Sequence, residues 1–191
     1  MTDETSWKQV SVAQDRYGGV NVIINNAGVL PALLALKETA LEEWRRVMAI
    51  NLDGVFLGVK YGLRSMKVKG GAIVNVSSVA GLVGMPLTAA YGPSKAGVLL
   101  LTKGADLEGA KFANPVRVNA VHPGYIQTEM TSSIAEHFGT ETFERRVHRI
   151  VPLKRLGSPD QVAEAITFLA SDRSQFTTGA GLAVDGGWTA Q

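Results

Sequence analysis

The stretch Ala72-Ile73-Val74-Asn75-Val76-Ser77-Ser78 decides the fold. Its apolar, β-branched core lacks polar alternation, which predicts a strand buried on both faces, and such strands belong to parallel sheets. The pattern repeats outward. Upstream, Val20-Asn21-Val22-Ile23-Ile24 is a second short strand, closed by Asn25-Asn26-Ala27-Gly28. Downstream, Val116-Arg117-Val118-Asn119-Ala120-Val121 runs through His122 into Pro123-Gly124, and Gly181-Leu182-Ala183-Val184 precedes Asp185-Gly186-Gly187. Helical signals separate these runs. Thr2 followed by Asp3 and Glu4 is an N-cap with acid in the first turn, opening a helix through Trp7, Val10 and Ala13 that stops at Gly18-Gly19. Further helices are expected from about Leu41 to Met66 and from Ala89 to Phe112. A last one opens on the Ser158 cap with Pro159 in first position and ends near Ser171. Residues from Tyr125 to about Ile150 read as polar and irregular. The alternation predicts an α/β fold: a partial Rossmann-like, doubly wound parallel sheet, with residues 1–191 as one domain. Right-handed crossovers carry every strand's C-terminal end to one edge, where ligands bind in such sheets.

Composition narrows the function classes. Hydrophobic residues make up 46% of the 191 and charged residues 19%, which describes a folded chain rather than a disordered one. No cysteine is present, so disulfides, thiolate metal sites and cysteine nucleophiles are excluded. Lys and Arg total 19 against 17 Asp and Glu, with no basic run to indicate nucleic acid. No apolar stretch reaches the roughly 18 residues of a membrane span, and the acidic, polar start is unlike a signal or transit peptide. A cytoplasmic location is the expectation. His122, His137 and His148 lack metal-ligand spacing, so no metal is expected.

The chemistry-bearing residues lie just past the strand ends. Tyr91 and Lys95, four apart on a predicted helix, share a face. A free phenol, with a pKa near ~10, is a poor acid or base at neutral pH, and a cation within about 4–6 Å lowers that value. Lys95 can supply the cation, so that Tyr91 gives a proton to a carbonyl oxygen or takes one from an alcohol. Ser78, at the end of its strand, can hydrogen-bond the same oxygen. Taken alone the pair also fits an amphipathic Tyr beside a solvated Lys. Gly92-Pro93-Ser94-Lys95-Ala96 approaches the nucleophile elbow of α/β-hydrolases, which would make Ser94 the nucleophile, although Pro86–Ala90 makes a poor preceding strand. Gly54, Gly58 and Gly62 recur on one helical face, which suggests close packing against another helix. Met130, Ile134 and Phe138 fit equally an apolar pocket lining and one face of an ordinary amphipathic helix.

Read together, six ordered motifs resemble the short-chain dehydrogenase/reductase family: Asn25-Asn26-Ala27-Gly28, Asn51-Leu52-Asp53-Gly54-Val55-Phe56, Asn75-Val76-Ser77-Ser78-Val79-Ala80-Gly81, Tyr91-Gly92-Pro93-Ser94-Lys95, Arg117–Gly124 and Asp185-Gly186-Gly187-Trp188. The resemblance spans nearly the whole chain. It implies hydride transfer between NAD or NADP and a secondary alcohol or ketone. Tyr91 would be the general acid/base. Lys95 would tune it and hold the nicotinamide ribose. Ser78, thirteen residues before Tyr91 as in the family's pattern, would orient the substrate oxygen. Asn51 would hold a relay water. Asn26, Ala27 and Gly28 would pass the adenosine ribose, and Pro123, Gly124, Ile126 and Thr128 would meet the nicotinamide end. The resemblance further implies a substrate lid over Tyr125–Ile150, hydroxysteroid-like or other bulky alcohols as substrates, and a homo-oligomer, dimer or tetramer, with a subunit contact at the glycine face.

The family's glycine-rich turn, Thr-Gly-x-x-x-Gly-x-Gly, has no counterpart among the 21 glycines. That turn cradles the pyrophosphate at a helix start. The strand that chooses between NAD and NADP is also missing. The expectation is an N-terminally truncated dehydrogenase in which Val20–Ile24 becomes an open, aggregation-prone edge, cofactor binding is weak or absent, and activity is impaired. The rival expectation is a non-catalytic fragment or pseudoenzyme that joins complete subunits as an oligomer partner.

Overall fold

The structure, a computed structural model, describes residues 3–7 and 9–190; the Thr2 cap lies outside them. Four strands form one sheet in the order β1-β2-β3-β4, all parallel: β1 (Val22–Asn25), β2 (Gly71–Val76), β3 (Val116–Pro123) and β4 (Gly181–Val184). The register pairs Asn25 with Asn75, Val76 with Val121 and Pro123 with Val184, so the four C-terminal ends share one edge.

The apolar runs are covered as doubly wound folds require. On one face, α4 (Gly54–Met66) and α5 (Tyr91–Gly109) bury Val55, Val59, Met66, Val98 and Ala105 against Ile73, Val116 and Val118. On the other, α8 (Pro159–Ala170) buries Val162 and Leu169 against Val74 and Val121. The expected Ser158 cap is present as a full capping box, with Gln161 N–H donating to Ser158 Oγ and Ser158 N–H donating to Gln161 Oε1. Arg117 reaches from β3 and donates to the carbonyls of Leu169 and Ser171, which closes the far end of α8. The α8 layer stops short of β1. There Val22 and Ile24 are 43% and 48% exposed, and β1 is the edge of the sheet among the described residues. The helices α1 (Glu4–Trp7) and α2 (Gln9–Tyr17) lie outside α4, where Glu4 pairs with Lys60 at 2.6 Å. Among the described residues no helix is long and apolar enough to cross a membrane.

Three expectations are corrected. The segment read as irregular after Tyr125 holds two helices, α6 (Glu129–Phe138) and α7 (Thr140–Ile150), hinged at Gly139 with φ +80°. Their Phe143 and Val147 close on Tyr125, Val151 and Trp188 as a small core of their own. The long helix expected from Leu41 is α3 (Leu41–Met48) joined to α4 through a π turn at Ala49–Asp53. The glycine face of α4 packs on the sheet, not on another helix. A Cβ on Gly58 would stand 1.9 Å from Asn25 Oδ1, and one on Gly62 would stand 2.8 Å from Ile73 Cδ1.

Candidate active site

The ends of β1, β2 and β3 and the first turn of α5 meet at the sheet's C-terminal edge. Helix α5 begins at Tyr91 itself, so Tyr91 and Lys95 follow one another down its first turn. Ser77 fixes this turn: its Oγ donates to the Lys95 carbonyl at 2.8 Å. Ser77 is thereby spent on structure, and Ser78, next along, lines the cleft with Tyr91. Ser78 Oγ accepts from Ala80 N–H at 3.2 Å, while its carbonyl accepts from His122 at 3.0 Å. Burial pushes the His122 pKa down, so the ring is neutral, and a neutral ring facing a carbonyl must carry its proton on Nδ1. His122 thus holds Ser78 in place, a link between β3 and β2 that no local spacing reveals.

Lys95 is 3% exposed. Its Nζ donates to the Val76 carbonyl at 2.9 Å and stands 5.7 Å from the Tyr91 ring centroid. Burial lowers its pKa to about 8. Tyr91 is shifted the other way: burial raises its pKa, and the Ser78 hydroxyl only partly opposes this. Desolvation is thus the larger influence on the phenol, a contribution that the spacing of Tyr91 and Lys95 does not reveal.

Asn51 is fully buried in the π turn. Its Oδ1 accepts from Val29 N–H at 2.8 Å, and its Nδ2 donates to the Val29 carbonyl at 3.0 Å and to Ser94 Oγ at 3.2 Å. The two-way clasp on Val29 fixes the segment after β1. Helices that carry π turns often do so at functional sites, and here the wider turn lies where Asn51 meets Val29. Ser94 in turn donates to the Tyr91 carbonyl at 2.7 Å. Ser94 is fully buried within α5 and committed to these partners, so the hydrolase elbow is overturned: no strand precedes it and no open face presents its oxygen.

The expected cofactor residues separate. Gly28 lies against the cluster, where a Cβ would come within 3.2 Å of Lys95 Nζ and 3.3 Å of Asn51 Oδ1. Gly124 lines the cleft, and a Cβ there would stand 2.9 Å from Asp185 Cα, so β3 and β4 can end side by side only with glycine. Asp185 orders that end: its carboxylate accepts from Gly187 N–H and from Thr189 N–H and Oγ1. Ala27 is half-buried, and Asn26 is exposed after β1. Ile126 is turned into the core against Val74 and Val162, and Thr128 lines a separate groove between α6 and α7. Neither side chain joins the cleft.

An ammonium has three N–H donors, and Val76 uses one among the described contacts. The remainder point to a small oxygen-rich group, and the backbone at Gly28 leaves room beside them. A ribose diol fits that description.

The cleft above encloses about 80 Å³ and opens to solvent. Its sheet side offers Ser78 and Tyr91, and its lid side Met130, Ile134 and Phe138 from α6. Both readings of that trio hold, since one amphipathic face supplies the pocket wall. Among the described residues no group of His, Asp and Glu is arranged to hold a metal ion.

A family model described as enoyl-(acyl carrier protein) reductase matches residues 1–189. The NADP-dependent (R)-specific alcohol dehydrogenase of Lentilactobacillus kefiri is 40% identical over 193 residues, covering 100% of this chain and 75% of that protein. The chain belongs to the short-chain dehydrogenase/reductase family. Within the family, trans-4-hydroxycyclohexanecarboxylate dehydrogenase of Sinomonas cyclohexanicum is 41% identical over 191 residues, covering 100% of the chain and 69% of the relative. The crystal structure of levodione reductase superposes with a TM-score of 0.93 at 30% identity, covering 99% of this chain and 74% of that one. The four parallel strands and their flanking helices superpose on that structure.

Proposed function

We propose that this chain transfers a hydride between NAD or NADP and a secondary alcohol or its ketone. The observation that carries the reading is the convergence of Tyr91 and Ser78 on one apolar cleft, with a buried Lys95 one helical turn behind the phenol. The names of the relatives, an NADP-dependent alcohol dehydrogenase and a hydroxycyclohexanecarboxylate dehydrogenase, support the same class. The substrate is a secondary alcohol or ketone on an apolar frame, from a single ring to steroid-like bulk.

When bound, the nicotinamide supplies or accepts the hydride. Ser78 Oγ donates to the substrate oxygen and holds it toward Tyr91. In reduction Tyr91 Oη gives its proton to that oxygen, and in oxidation it takes the proton back. A phenol held protonated by burial is in the form that reduction needs. Lys95 keeps positive charge beneath the ring and directs its spare donors at the ribose hydroxyls beside Gly28. Asn51 has one Oδ1 lone pair beyond its Val29 bond, which gives a relay water its acceptor. Pro123, Gly124 and the 26–28 segment carry the cofactor contacts through backbone.

With no glycine-rich turn in the sequence, the pyrophosphate lacks its usual backbone donors, so we infer weak binding by the 191 residues. One domain, cytoplasmic residence and homo-oligomeric assembly belong to the same proposal; Leu100 and Leu107, exposed along α5, support the last.

Tyr91→Phe is expected to lower turnover at least about a hundredfold with KM little changed, since only the proton transfer is lost; retained activity above about 10% contradicts the assignment. Fluorescence titration of the chain with NADH and NADPH is expected to give dissociation constants weaker than about 1 μM, where a donor-rich phosphate cradle would reach tighter binding.

A further inference from the structure

One wall residue has no part in proton or hydride transfer. Arg146, on α7, lines the same cleft as Ser78 and Tyr91. Its neighbour Arg145 pairs with Glu141 at 3.3 Å, but among the described residues no ion pair reaches Arg146. The Arg146 guanidinium lies 5.8 Å over the Phe138 ring, and its Nε is buried with no hydrogen-bond partner. The ring face attracts the charge but offers no acceptor in line with Nε–H. A guanidinium stays charged at any physiological pH, and a buried donor without an acceptor is costly. Most of the cleft lining is apolar, including Leu33 and, on α6, Met130, Ile134 and Phe138, with Thr131 a neutral exception on the same helix. Arg146 is therefore the one permanently charged group in the cleft lining, held there unpaired.

We propose that Arg146 recognises a carboxylate on the substrate, so that this enzyme prefers anionic ketones and alcohols to neutral ones. The proposal rests on the cleft being the oxidoreductase site argued above and names the substrate class within it. Ser78 and Tyr91 take the reacting oxygen from the sheet side, and Arg146 takes the carboxylate from the lid side. The planar fork of Arg matches a carboxylate through two parallel N–H donors, which a lysine cannot reproduce.

The test is ligand-observed NMR of the whole chain with 4-oxocyclohexanecarboxylate and with its neutral carboxamide, which has nearly the same shape. The carboxylate is expected to bind about tenfold more tightly, equivalent to about 1.4 kcal/mol. R146Q is expected to bring the two dissociation constants within about threefold of each other, and R146K to restore only part of the preference. Circular dichroism of each variant verifies that the lid helices remain. Equal affinities in the parent chain, a preference that survives R146Q, or binding of neither compound overturns the proposal. The redox reading fails separately: an Arg146-dependent preference together with undiminished turnover by Tyr91→Phe would leave the anion site standing and remove the assigned acid.

Discussion

The floor of the cleft is a lattice of buried polar side chains with named partners, whereas its lid is two helices held by apolar contact. On the floor, Asn51, Ser94, Ser77 and Lys95 each reach a backbone carbonyl or a neighbouring side chain between 2.7 and 3.2 Å. In the lid, Tyr125 meets Phe143 edge-on at 5.0 Å and Trp188 at 4.8 Å, over Val147 and Val151. Hydrogen bonds weaken steeply with misalignment, so the floor can hold only one arrangement. Apolar contact tolerates exchange of one side chain for another of similar volume. The chemistry is thereby fixed below while selectivity remains adjustable above.

Three substitutions sharpen this contrast. The largest effect belongs to the floor. Gly58→Ala places a methyl group into Asn25, whose Nδ2 already donates to Asn75 Oδ1 at 2.8 Å and cannot yield without breaking that bond. Urea unfolding is expected to show a loss of about 3 kcal/mol, the upper range for overpacking. Next comes the charge beneath the phenol. The Lys95 pKa is about 8 in the folded chain against 10.5 for the free side chain. Between those values the unfolded chain binds a proton that the folded chain does not, so this group's contribution to stability rises with pH across the window and is flat outside it. Lys95→Met abolishes the dependence. Parent stability minus variant stability is therefore expected to increase by about 2 kcal/mol from pH 7 to pH 10, read from urea curves at both. The smallest effect belongs to the lid. Phe138→Ala removes part of one cleft wall from a half-buried position, and KM is expected to rise several-fold, about 1 kcal/mol, with kcat nearly unchanged. A collapse of kcat instead would mean that the lid takes part in orienting the reacting groups.

Much of the floor was legible in the sequence because its signals are local. Buried parallel strands leave unbroken apolar runs, and Tyr91 and Lys95 share a helix face by spacing alone. What stayed hidden depends on distant neighbours. The polar residues of α7 mask Phe143 and Val147, whose partners Tyr125 and Trp188 lie far along the chain. The reason for Gly58 is Asn25, on another element. Ile126 has the composition of a pocket residue and the position of a core residue, since Gly157 and α8 draw it inward. The protonation of Tyr91 could not be read either, because the spacing reveals the cation and not the depth of burial. Arg146 lies in no motif, and the motif that contains His122 gives it no role; one is known by the acceptor it lacks, the other by the carbonyl it holds.

The five-residue π turn at Ala49–Asp53 has a consequence for how this protein can vary. Each residue of an α-helix advances the chain by about 100° around the axis, and a π turn winds more loosely, so its five residues cover about the arc of four helical ones. The turn therefore absorbs a surplus residue while α3 and α4 stay nearly in phase, with Val55 and Val59 on Ile73 and Gly58 in its notch over Asn25. Loss of that residue would return the segment to ordinary winding with the packing of α4 kept, and would cost the local width in which Asn51 clasps Val29.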